Sequence, residues 1–86
     1  MRTRVFLRED NEYRLATEMS VDDADQAWRR IEAEPDLAGR RLSPGDVVYI
    51  GDEYLELNGD GGWRRLAPSE LTQGLYRQIL SATENQ

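Results

Sequence analysis

The stretch Asp46-Val47-Val48-Tyr49-Ile50, Gly51-Asp52, Glu53-Tyr54-Leu55-Glu56-Leu57 constrains the fold more than any other part of the chain. Two runs of β-branched and aromatic residues are separated by two residues, one of them Gly, which spells a hairpin whose tight turn requires positive φ. In that register Val48 faces Leu55 and Tyr49 faces Tyr54, so one face is aliphatic and the other aromatic and partly acidic. Asn58-Gly59-Asp60-Gly61-Gly62 forms a second turn, after which Trp63 to Leu66 extends the hairpin into a three-strand meander.

The flanking segments complete the set of elements. Residues alternate from Arg4 to Arg8 and again from Tyr13 to Glu18, which predicts a first hairpin turning at Asp10-Asn11, with Phe6 opposite Leu15 and Val5 opposite Ala16. Ser20 reads as the N-cap of a helix ending at Pro35, with Asp22, Asp23 and Asp25 near the positive end of its dipole. Val21, Ala24, Trp28 and Ile31 form its apolar stripe, Trp28 is expected to anchor it in the core, and Asp25 and Arg29 pair on the outside. A connector of about ten residues leads through Arg40-Arg41 to the turn formers Pro44 and Gly45. Pro68 opens a final helix with Leu71, Leu75, Ile79 and Ala82 on one stripe, interrupted by Gly74 and fraying after Leu80. The order predicts a single α+β domain over residues 1–86 with a mainly antiparallel sheet: hairpin, helix, three-strand meander, C-terminal helix.

Composition then narrows the chemistry. The 86 residues hold 17 acids and 11 bases, no Cys and no His, and every base is Arg. This removes the ordinary neutral-pH proton shuttle, the thiolate nucleophile, the Schiff-base or phosphate-loop lysine, and the usual zinc sites. With no nucleophile-base pair in view, the chain reads as a non-enzyme with no cofactor. Asn58 to Gly62 resembles part of a calcium loop, but the first, sixth and twelfth positions hold Asn58, Trp63 and Ser69 rather than Asp, Gly and Glu, so a plain turn is expected and no metal. The longest aliphatic-aromatic run, Val47 to Ile50, is far below the roughly 18 residues of a membrane span. Behind the basic start the apolar run Val5-Phe6-Leu7 has only three residues where a secretion signal uses about 7 to 15, so a cytoplasmic location is expected.

The segment Gly39-Arg40-Arg41-Leu42-Ser43-Pro44-Gly45-Asp46-Val47-Val48, followed by Tyr54 and by Gly62-Trp63, resembles the YodL-type domain of small proteins carried by bacterial mobile elements. Tyr13 to Pro35 is similar to the strand and helix that precede this motif in the family. The Pro-Gly-Asp-Val-Val run also opens strands in SH3-like and other small barrels. The resemblance implies an accessory role in plasmid or phage biology and supplies no catalytic residues.

Two surfaces stand as candidate sites. With both helices on the aliphatic face, the aromatic face would lack apolar cover, and Tyr49, Tyr54 and Trp63 with flanking Arg64 and Arg65 would form a protein-binding hot spot. The alternative rests on charge: residues 9–36 carry −7 and residues 46–60 carry −5, between Arg-bearing segments. Asp22, Asp23, Asp25, Glu32, Asp52, Glu53 and Glu56 could then imitate nucleic-acid phosphates and inhibit a DNA- or RNA-handling enzyme. Direct nucleic-acid binding through Arg40, Arg41, Arg64 and Arg65 is disfavoured by the net charge of −6.

Overall fold

The computed structural model describes residues 1–10, 12–33 and 42–84, with the backbone alone for Glu32 and for residues 81–84. Strands β1 (Arg2–Glu9) and β2 (Glu12–Ser20) are followed by helix α1 (Ala24–Ala33) and strands β3 (Val47–Ile50), β4 (Glu53–Leu57) and β5 (Trp63–Leu66). A short 3-10 turn (Pro68–Glu70) leads into helix α2 (Gln73–Glu84). The strands form one sheet in the order β2-β1-β3-β4-β5, and every pair is antiparallel. This is the α+β architecture expected from the chain.

The meander keeps the predicted register, with Val48 opposite Leu55 and Tyr49 opposite Tyr54. Gly51 and Asp52 both take positive φ (58° and 66°), the two-residue turn whose twist matches the strands it joins. Before β3, the amide of Asp46 donates to the Ser43 carbonyl at 3.0 Å across Pro44 and Gly45. Gly45 has φ +98°, as the third residue of a type II turn requires.

The first hairpin departs from its simple register. Phe6 lies opposite Leu15 as expected, but Val5 lies opposite Thr17 rather than Ala16, because a β-bulge falls between the two pairs. The extra residue flips the rest of the strand. Tyr13 and Leu15 therefore pack with Phe6 and Val47 on one face, while Ala16 and Met19 pack with Val5 and Val48 on the other. One strand thus serves two cores.

Those cores are the central finding of the fold. On the aliphatic face, Val5, Leu7, Met19, Val48 and Ile50 pack with Val21 and with Ala27 and Ile31 of α1. On the aromatic face, Phe6, Tyr13, Val47 and Leu66 pack with Leu75 of α2, joined by Leu71 and Ile79. The helices lie on opposite faces, not on one, and the sheet is the middle of three layers. Covered on both sides, β1 is buried continuously from Thr3 to Leu7. Arg4 is buried with its Nε 2.6 Å from Glu18 Oε2 and its guanidinium over the Tyr49 ring.

Both helices start later than their sequence signals suggest. Ser20 ends β2, and α1 is instead capped by Asp23, whose Oδ1 accepts the Gln26 amide at 2.8 Å. Gln26 reciprocates by accepting the Asp22 amide. The Arg29 side chain donates to the Asp25 carbonyl oxygen rather than to its carboxylate. Ala27 and Ile31 are the residues of α1 driven deepest into the core, and Trp28 is half-buried beside them. Pro68 starts only the 3-10 turn, in which Glu70 accepts the Ala67 amide. Helix α2 is capped separately by Thr72, whose hydroxyl accepts from Leu75.

Candidate functional site

The five residues expected to form one hot spot divide between the two faces. Trp63 packs on the α1 side, its ring centroid 5.1 Å from that of Trp28, so it finishes the aliphatic core and is not part of the aromatic strip. Tyr49 and Tyr54 do stand together on the other face, with centroids 4.8 Å apart, and Tyr54 also approaches Phe6 at 6.5 Å. Arg64 is engaged by both Glu56 and Glu70. Arg65 on the edge strand remains 71% exposed in its side chain and reaches Glu53 at 2.9 Å.

Helix α2 and the 3-10 turn cover much of the aromatic face but stop short of its corner. There Tyr54, Leu66, Ala67, Pro68 and Leu71 line a cleft of about 310 Å³ rimmed by Asp52, Glu53 and Arg65. Tyr54 is half-buried in its wall. Beyond Asp52 the surface continues into a smaller hollow of about 240 Å³ between Tyr49, Gly51, Met1 and Arg2. The Tyr49 hydroxyl donates to Asp52 Oδ1 at 2.7 Å, and this bond with burial raises its pKa above 10.0. Burial likewise raises that of Tyr54. Both phenols therefore stay neutral donors at physiological pH.

The sequence singled out Tyr54 and Arg65 but missed Leu66, Pro68 and Leu71, which build the apolar floor. Leu66 was legible as the last alternating residue of β5. Leu71 is expected within a helix, but it has an extended backbone and with Thr72 separates the 3-10 turn from α2.

The acidic residues do not form one surface either. Asp22, Asp23 and Asp25 are exposed at the start of α1, with Asp23 used as its cap. Asp52 holds Tyr49, Glu53 holds Arg65 and Glu56 holds Arg64, so each acid of the second block has a local partner. The side chain of Glu32, together with Arg40 and Arg41, lies outside the described residues. Asp60 accepts the Gly62 amide within the β4–β5 turn, whose remaining bonds join Asn58 to Gly61 and Gly62. Among the described residues, no helix is long and apolar enough to cross a membrane.

Comparison of the chain with family models, with curated proteins and with solved structures gives no match.

Proposed function

We propose that this chain is a small cytoplasmic protein-binding module, in keeping with the YodL-type resemblance an accessory or inhibitor protein of a mobile genetic element. The observation that carries the reading is the cleft around Tyr54: an apolar floor of Leu66, Pro68 and Leu71 under a rim of opposite charges. Aromatic residues in partly desolvated clefts are the usual anchors of protein interfaces. The occupant is a segment of a partner protein that inserts one large apolar side chain beside Tyr54 and sets a basic residue against Asp52 and Glu53. The local pairing of Asp52, Glu53 and Glu56 supports this over phosphate mimicry, because each paired acid loses much of the field a basic groove would sense.

Co-purification from expressing cells at low and high salt tests it, comparing the native chain with Tyr54→Ala and with Asp22, Asp23 and Asp25 all changed to Arg. The expected result is a partner held at both salt concentrations, lost with Tyr54→Ala while the fold persists by circular dichroism, and kept by the charge-reversed chain. A partner shed by salt and by charge reversal, yet indifferent to Tyr54→Ala, would establish the acidic-mimic alternative instead.

A further inference from the structure

A second cleft, sharing no residue with the first, opens where α2 begins. It has a volume of about 530 Å³ and lies between the ends of β1, β2 and β4 and the first turn of α2. Three kinds of hydrogen-bond donor meet there. The amides of Gln73 and Gly74 belong to the first turn of α2 and have no protein partner among the described residues, since the Thr72 cap serves Leu75 and Tyr76. Such amides, with the helix dipole behind them, favour an anion.

The independent observation is Tyr13. It is 8% exposed, lines the cleft, and its hydroxyl makes no hydrogen bond among the described residues. The ring is buried while the hydroxyl itself opens onto the cleft with no protein partner beside it among those residues, the usual arrangement of a tyrosine whose polar tip bonds to what occupies the opening. Here the open cleft is where that partner would sit. The third donor is Arg77, one helical turn from Gln73, which makes no ion pair among the described residues. Arg8 closes the other wall, oriented by the bond from its Nε to the Asp10 carbonyl.

Gly74 fits the same reading. Glycine inside a helix costs about 1 kcal/mol relative to alanine. At the second position of α2, lining the cleft, it leaves the backbone open to close approach. Two carboxylates also reach the cleft. Glu56 is paired with Arg64, whereas Glu12 has no such partner among the described residues and opposes an anion.

We propose that this cleft is a binding site for a small oxyanion of the carboxylate or phosphate type, held by the Gln73 and Gly74 amides, the Tyr13 hydroxyl and the Arg77 guanidinium. Amide NMR of the full chain tests it, with sodium phosphate and sodium acetate titrated separately and sodium chloride at matched ionic strength as the reference. Saturable shifts at Gln73 and Gly74 are expected with at least one oxyanion and not with chloride, and the tighter of the two names the ligand type. Tyr13→Phe keeps the ring in the core while removing the donor, and should weaken binding about tenfold, as should Arg77→Gln. Glu12→Gln should tighten it about threefold by removing an exposed like charge. The site is overturned if neither oxyanion gives a saturable shift, if chloride reproduces the shifts, or if both donor variants bind as the native chain does.

Discussion

Asp46 Oδ1 accepts the backbone amide of Arg8 at 2.8 Å, joining residues 38 apart in the chain. The ladder between β1 and β3 ends at Phe6 and Val47, and the carboxylate extends that pairing by a side chain in place of a carbonyl. Its second oxygen accepts the Ser43 amide, also at 2.8 Å, which fastens the turn leading into β3. The Asp46 side chain is completely buried, so both bonds are made where water competes little for the carboxylate. Replacing Asp46 by Ala is expected to destabilise the fold by about 3 kcal/mol, and by Asn roughly half as much because one acceptor remains. Urea denaturation followed by tryptophan fluorescence measures both. In the sequence, an aspartate before a valine pair shows nothing of the strand 38 residues upstream that meets it.

Gly45 belongs to the same corner. With φ at +98°, and with Arg8 Cδ only 3.0 Å from where a Cβ would stand, alanine there meets both backbone strain and a side chain. Gly45→Ala should cost about 1–2 kcal/mol by the same urea measurement, whereas Gly59→Ala, which has open space around it, should cost much less.

The tryptophans test the three-layer arrangement. Trp28 of α1 and Trp63 of β5 meet with ring planes tilted by 55°. A double-mutant cycle with Trp28→Leu and Trp63→Leu should return a coupling of about 0.5–1.5 kcal/mol, whereas a cycle between Trp63 and Tyr54 should return close to none. Equal couplings would mean that Trp63 shares the aromatic face after all.

Most of the sheet was legible because strand periodicity and turn chemistry are local. The hairpin at Gly51-Asp52 carried its own register in the positive-φ turn and in the apolar pairs on either side. The face each helix would cover was not legible. That choice depends on which strand leads into which helix and on the order β2-β1-β3-β4-β5, which no local pattern encodes. Leu71, Leu75 and Ile79 show that α2 has an apolar stripe, but not that Phe6, Tyr13 and Val47 lie beneath it. The grouping of Tyr49, Tyr54 and Trp63 failed for another reason, the β4–β5 register, which sets Trp63 opposite Leu57 on the aliphatic face.

The bulge at Ala16 carries a sharper prediction than any single contact. Removing Ala16 takes out the extra residue, so that Thr17 follows Leu15 in plain alternation and Tyr13 and Leu15 stay in the α2 core while Met19 stays in the α1 core. Exposing Met19 alone should cost about 2–3 kcal/mol. Deleting Ala16 is expected to cost less than this, whereas deleting Arg14 makes Tyr13 and Leu15 neighbours, drives one of them out of the α2 core and should cost at least as much. Thermal unfolding of the two variants separates the effects.

Acid and alkaline limits follow from different residues. Glu70 is held below its ordinary value of 4.5, chiefly by Arg64 and then by the Ala67 amide it accepts. A carboxylate with a depressed folded-state pKa contributes stability above its unfolded pKa and loses it as pH falls through the folded value. Glu70→Gln should therefore lower the melting temperature slightly at neutral pH and flatten its decline below about pH 4.5, converging with the native chain in strong acid. Tyr13, Tyr49 and Tyr54 work at the other end. All three are raised above 10.0, Tyr13 and Tyr54 mainly by burial and Tyr49 mainly by its bond to Asp52. Their neutral forms are favoured in the folded state, so stability is intact below pH 10 and falls as the pH rises toward the folded values. Asp52→Asn removes the carboxylate that holds the Tyr49 proton. The phenolate absorbance of the variant should accordingly develop at lower pH than that of the native chain, and an unchanged titration would show that Asp52 does not govern Tyr49 in solution.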